Sequence, residues 1–257
     1  MNTLMMMKKE WKELLSSYKI LFVPIVFTIL MMMQPITMKM LPDIIEGASG
    51  LPEGTVIEIP EPTPIEAMSA AVTKFSTLGI FVLIMITMGT IAGERSSGVA
   101  AMVFSKPISR ANYYFAKVFT YFGLTIFGIL IAVFSTAYYV EVLFGELDWL
   151  HVFLGTLLYI PTLLLVIIST ICASGVFRNS VTAGGVSLVF NFLMLNLPQL
   201  MGDFMEKASP EGLTTAATYM IEEGAWHESV FPGLAVVGGL IILFFFLGWY
   251  LLEKQEI

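Results

Sequence analysis

The sequence predicts an all-α membrane protein with six transmembrane helices, an N-terminal interfacial amphipathic helix and a short cytoplasmic helix between the second and third spans. Three observations carry this. The 257 residues are 57% hydrophobic and only 13% charged, with a mean hydropathy of +0.84, whereas a soluble domain carries about 25% charged residues. Six uncharged runs are long enough to cross a ~30 Å hydrocarbon layer. The basic residues fall on alternate connections between those runs. The composition excludes a soluble enzyme and a disordered regulator. The single Cys172 allows no intrachain disulfide and no cysteine metal cluster. A net charge of −7 leaves no basic stripe for nucleic acid. The length suits one transmembrane domain over residues 1–257.

Residues 3–19 precede the first run and are too polar to cross. Met7, Trp11, Leu14, Leu15 and Tyr18 recur at helical spacing, with Lys8, Lys9, Lys12 and Glu13 on the other faces, as expected for a helix lying in the membrane interface. The six runs then follow at about 20–38, 75–93, 118–140, 152–177, 179–202 and 229–252. A lipid-exposed backbone must pair its amides within its own segment, so each is expected to be a helix. The runs lack the strict alternation of a barrel strand. No small-residue cleavage site follows the first run, so it is expected to remain as an anchor.

With the N-terminus inside, the inner segments hold ten of the thirteen Lys and Arg, and the outer ones hold only Lys39, Lys74 and Lys207. The positive-inside rule therefore predicts both termini in the cytoplasm, with the chain in the cell membrane. The outer segments carry fifteen of the twenty acids. The largest of them, from Lys39 to Lys74, contains Pro42, Pro52, Pro60, Pro62 and Pro64, which are expected to block long helices. Its acids are read either as a solvated surface or as a collector of cations. In the third outer segment, Met220 to Trp226 is expected to form a short re-entrant or interfacial helix.

Catalytic motifs are not found. The phosphate-cradling GxxxxGK[ST] pattern is missing, so ATP binding of that kind is expected on another chain. His227 and Glu228 lack the second histidine of HExxH, since Phe231 stands there. Glu222, Glu223 and His227 have the spacing of EExxxR without its arginine. No GxSxG serine supports nucleophilic catalysis. Seventeen methionines scattered over apolar helices are read as packing residues rather than a copper site. No metal site is expected.

Within the spans, Gly89 and Gly93 form a GxxxG pair suited to close helix contact. Ser187, Asn191 and Asn196 lie on the fifth run. Intramembrane amides are costly towards lipid, so these three are candidates for a substrate path or, equally, for interhelical hydrogen bonds.

The connection after the second span reads GERSSGVAAMVFSKPISRANYYFAK. A short apolar helix is expected around Val99 to Phe104, ended by Pro107, with Ser109 as N-cap of the third span and Asn112 at its third position. Arg110 then opens a helix, where a cation opposes the dipole; it is expected to contact an acidic groove on a partner subunit or, alternatively, anionic headgroups. In isolation the segment also reads as an ordinary basic connector.

This segment resembles that of the type-2 ABC exporter permeases, which carry E-R-x-x-G, then P-(I/V)-S-R and a lysine. Glu94, Arg95, Gly98, Pro107, Ile108, Ser109, Arg110 and Lys117 match that form. The interfacial helix, six spans and inner termini match the family over essentially the whole chain, although the first outer segment is longer and more acidic. The resemblance implies a permease whose Glu94–Arg110 loop docks as a coupling helix on an ATP-binding cassette ATPase subunit. It also implies two copies of that ATPase, which holds the ATP and magnesium, and a second permease subunit, identical or related. The substrate is left open: a peptide antibiotic, a drug or another amphiphile. The rival reading is a non-transporting anchor, immunity or sensor subunit, which needs no docking knob.

Overall fold

A computed structural model describes residues 3–47, 62–105 and 108–255. Every regular element in them is helical. Helix α1 (Thr3–Ser16) ends at Tyr18, whose φ of +57° turns the chain into α2 (Lys19–Gly47). Pro42 was expected to stop the first span. It instead lies inside α2 together with Pro24 and Pro35, because apolar surroundings leave the other carbonyls no better partner than the helix itself.

Helix α3 (Pro64–Thr87) begins eleven residues before the uncharged run does. A capping box sets its start. The Thr63 side chain accepts from the Glu66 amide, the Glu66 carboxylate accepts from the Thr63 amide, and Pro64 fills the first turn where no amide is needed. After a turn at residues 88–91 come α4 (Ala92–Ser96) and α5 (Val99–Phe104), joined through Gly98 in the left-handed region at φ +77°. Helix α6 (Arg110–Phe144) opens on the expected cap, with the Ser109 hydroxyl accepting from the Asn112 amide. Helices α7 (Trp149–Val176) and α8 (Ser180–Asn196) follow. A 3-10 turn (Leu197–Leu200), α9 (Asp203–Lys207), α10 (Pro210–Glu223) and α11 (Val230–Glu253) complete the chain.

Six helical segments are long and apolar enough to cross a membrane: 19–42, 64–96, 110–144, 149–176, 180–200 and 230–253. Helix α7 is the hub, with 67% of its apolar window buried, against 17% for α11. The α1, α4 and α5 segments gather at one end of the bundle, with the start of α6 and the end of α11. The starts of α3, α7 and α11 lie at the other.

Helix α10 is longer than expected, begins earlier and is re-entrant. Thr162 Oγ1 donates to the Pro210 carbonyl at 3.2 Å. Thr162 is about 20 Å along α7, near its midpoint. Farther along, Gly155 faces the Ala217 carbonyl and Gly224 faces His151. Helix α10 therefore starts level with the middle of α7 and runs back to the end it came from. Leu213, Ala216, Ala217, Met220 and Ile221 are buried in that contact.

Candidate functional site: the loop between the second and third spans

The loop is rooted in a buried ion cluster. Lys117, about two turns into α6, has a side chain only 1% exposed. Its ammonium lies 2.7 Å from Glu94 of α4 and 3.1 Å from Glu10 of α1. Tyr113 donates to the other Glu94 oxygen, and its ring lies beneath the same ammonium. Lys9 closes the cluster, 2.9 Å from Glu13, 3.1 Å from Glu10 and 3.5 Å from Glu94. Burial of Lys9 pulls its proton affinity down. Glu13, Glu10 and Glu94 outweigh that and hold it above the ordinary lysine range. Glu10, Glu13 and Glu94 come close enough to share a metal ion. Two ammonium groups already supply the positive charge there.

Glu10 is the residue that sequence reasoning missed. The buried face of α1 is Met6, Glu10 and Leu14, spaced by four. It is not the whole expected stripe: Leu15 and Tyr18 are exposed, and Trp11 packs over Gly123 of α6. The signal was a carboxylate sitting between two apolar residues on one helix face.

The break between α3 and α4 leaves backbone amides without helical partners. Ser174 of α7 repairs it. Its hydroxyl accepts from the Ile91 and Ala92 amides at 3.0 Å each and donates to the Met88 carbonyl at 2.7 Å. Gly89 lies within this break and Gly93 just after it, in α4. A Cβ on either would come no nearer than 3.4–3.5 Å to Ser180, at the start of α8. They line an ordinary contact with a helix terminus, so the expected close helix seam is not there. Closer approaches are made elsewhere, among them by Gly155, Gly184, Gly233 and Gly248.

The two arginines turn inward. Arg110 donates to the Leu252 and Glu253 carbonyls at 3.3 and 2.8 Å and to the Gln255 carbonyl. Arg95 donates to the Gly175 carbonyl at 2.9 Å and to the Gln255 side chain. Arg110, expected to reach an acidic groove on a partner subunit, is instead engaged within the chain by the electronegative C-terminal end of α11, which a cation suits. Pro107, expected in the same loop, lies outside the described residues. What projects outward is α5, where Met102 is 72% exposed beside the exposed Val99. Ser109 serves as a cap.

Of the expected polar residues of the fifth run, Asn191 is buried and bonded to Ser169 Oγ and the Ser187 carbonyl, at 3.1 and 2.8 Å. Ser187 donates to the Ala183 carbonyl. Both serve interhelical and local hydrogen bonds. Asn196 alone lines a cavity.

The six apolar helices are those of a multi-pass membrane protein, with α5 projecting between the second and third. The chain belongs to the ABC-2 transporter permeases. The family model described as "ABC-2 family transporter protein" matches residues 66–250, which take in the loop and the last five spans. The chain is also similar to the uncharacterized transmembrane protein YxlG of Bacillus subtilis (strain 168). The two are 29% identical over 185 residues, covering 71% of this chain and 72% of that protein.

Proposed function

We propose that this permease is the membrane half of an exporter whose ATP is bound and hydrolysed, with magnesium, by a separate ATP-binding cassette subunit. In this reading two permease chains, identical or related, pair with two such ATPases in the cell membrane. The α5 end and both termini face the cytoplasm. The chain itself is not an enzyme. Family membership supports an ATP-binding partner in general. The observation that carries the rest is the form of α5: a helix of six residues that presents Met102 and Val99 to solvent and is rooted in buried charge.

The mechanism follows from that rooting. Glu94 ties the loop to α1 through Lys9 and to α6 through Lys117, while Ser174 ties it to α7. A push on α5 from a closing ATPase dimer would therefore move α3, α6, α7 and the interfacial helix together. Arg95 and Arg110 add the end of α11 to the same unit. Alternating access would arise from tilting this unit against the less enclosed α8.

The test is co-purification of the ATPase at matched permease levels. Met102→Glu places a charge at the centre of the docking face and should reduce ATPase recovery by about tenfold, the effect of losing ~1.4 kcal/mol. Trp226→Glu, exposed on the connection that follows α10 at the opposite end of the bundle, should leave it unchanged. Full recovery with Met102→Glu would reject α5 as the docking helix.

A further inference from the structure

A cavity of about 230 Å³ opens between α3, α8 and the start of α10. Its upper wall is polar, with Thr73, Ser76 and Thr77 from α3 and Asn196 and Gln199 from the end of α8. Its lower wall is apolar, made by Ile80, Ile84, Leu188 and Leu195, with Phe81 and Phe192 exposed on the bundle surface, one from each helix. One charged residue lines it, Glu211.

Glu211 is difficult to explain as structure. It stands beside Pro210, level with the middle of α7. A carboxylate in the first turn suits the α10 dipole, but that turn is already capped, because the Ser209 hydroxyl accepts from the Gly212 amide at 3.0 Å. No hydrogen bond or ion pair holds the Glu211 carboxylate among the described residues. The Tyr159 hydroxyl is wholly buried on α7 nearby and also makes no well-directed hydrogen bond, although Ser76 and Glu211 interact with it. Glu211 is half-buried, and the fully buried charges among the described residues are paired, as the Lys117 cluster shows. An acid left unpaired at this depth carries a desolvation cost that a bound cation would offset.

We propose that this cavity binds an amphiphile carrying one positive charge, with its cationic head on Glu211 and its apolar body against Ile80, Leu188 and Leu195. The proposal rests on the permease reading and names the substrate class of its membrane path. The hydroxyls and amides of Thr73, Thr77, Asn196 and Gln199 replace the water around the head group. The lateral mouth between Phe81 and Phe192 admits the ligand from the bilayer.

The test uses the purified full chain in a neutral detergent, without ATPase or nucleotide. Radiolabelled decyltrimethylammonium is the probe, in a proximity assay that reads only protein-bound label. The native chain should bind it saturably, with decanol a poor competitor. Glu211→Gln should weaken binding by about tenfold, as loss of one direct Coulombic contact does. Glu211→Asp keeps the charge and should stay within about threefold. Glu222→Gln, an exposed acid at the other end of α10, should change nothing. Leu188→Trp fills the apolar wall and should abolish binding whether or not Glu211→Gln folds. Binding by Glu211→Gln or Leu188→Trp within threefold of native, or equal displacement by decanol, would overturn the proposal. Because no ATPase is present, failure here leaves the docking of α5 untouched. Loss of docking likewise leaves this binding unaffected.

Discussion

At the scale of single residues, long-range charge pairing organises the α5 end. Lys117 and Glu94 were both legible as members of a sequence pattern, but their contact with each other was not. Glu10 lies 107 positions from Lys117, and no local rule links a carboxylate on an interfacial helix to a lysine inside a span. Arg110 shows the same gap from the other direction. Its conflict with its own helix dipole was readable, whereas the α11 carbonyls that resolve it were brought in by the fold. Removing one member of a buried ion cluster costs about 3–5 kcal/mol, because it leaves uncompensated charge behind. Lys117→Ala leaves Glu10 and Glu94 facing one another and should lower the thermal unfolding midpoint of the detergent-solubilised permease well below that of Lys8→Ala. The control residue has no ion-pair partner among the described residues. Equal midpoints would mean that the cluster contributes nothing to stability.

At the scale of elements, what could be read depended on whether the signal was local. Ser109 capping α6 and the short α5 followed from adjacent residues, and both stand in the structure. Helix boundaries drawn from uncharged runs fell short wherever a cap carries the helix past a charged residue, as Thr63 and Pro64 do for α3. Close packing was assigned to Gly89 and Gly93 because their spacing fits a known seam, yet the break at 88–91 puts them beside a helix terminus. Gly155, with no partner glycine four residues away, is where α10 enters. A Cβ there would lie 2.7 Å from the Ala217 carbonyl, a backbone atom that cannot turn aside. Gly155→Ala should therefore destabilise the protein by about 1–3 kcal/mol, as overpacking does. Gly89→Ala should fall within about 0.5 kcal/mol of native, since its nearest neighbour is the Ser180 hydroxyl at 3.5 Å. Paired thermal unfolding measurements decide this, and the reverse ranking would show that α10 is not seated against α7.

At the scale of the whole molecule, an even number of crossings puts the two ends of the chain on one face. The charge distribution then selects which face. Lipid does not distinguish the ends of a symmetric apolar bundle, so orientation rests on the basic residues near the helix termini. Ten of thirteen belong to segments at the α5 end, where Arg95 and Arg110 also bind the end of α11. The opposite end carries Glu222, Glu223 and Glu228, with Lys207 paired to Glu228 at 2.6 Å. That pairing leaves still less free positive charge there to hold the end inside. Two exposed positions report on the two faces: Ser105, just after α5, and Glu222, at the end of α10 away from α5. In a Cys172→Ser background, Glu222→Cys should react with a membrane-impermeant maleimide in intact cells. Ser105→Cys should react only after the membrane is permeabilised. If Ser105→Cys labels in intact cells and Glu222→Cys does not, the bundle is inverted and α5 cannot meet a cytoplasmic ATPase. If both label in intact cells, the number of crossings between them is even rather than odd, and the six-span topology fails with it.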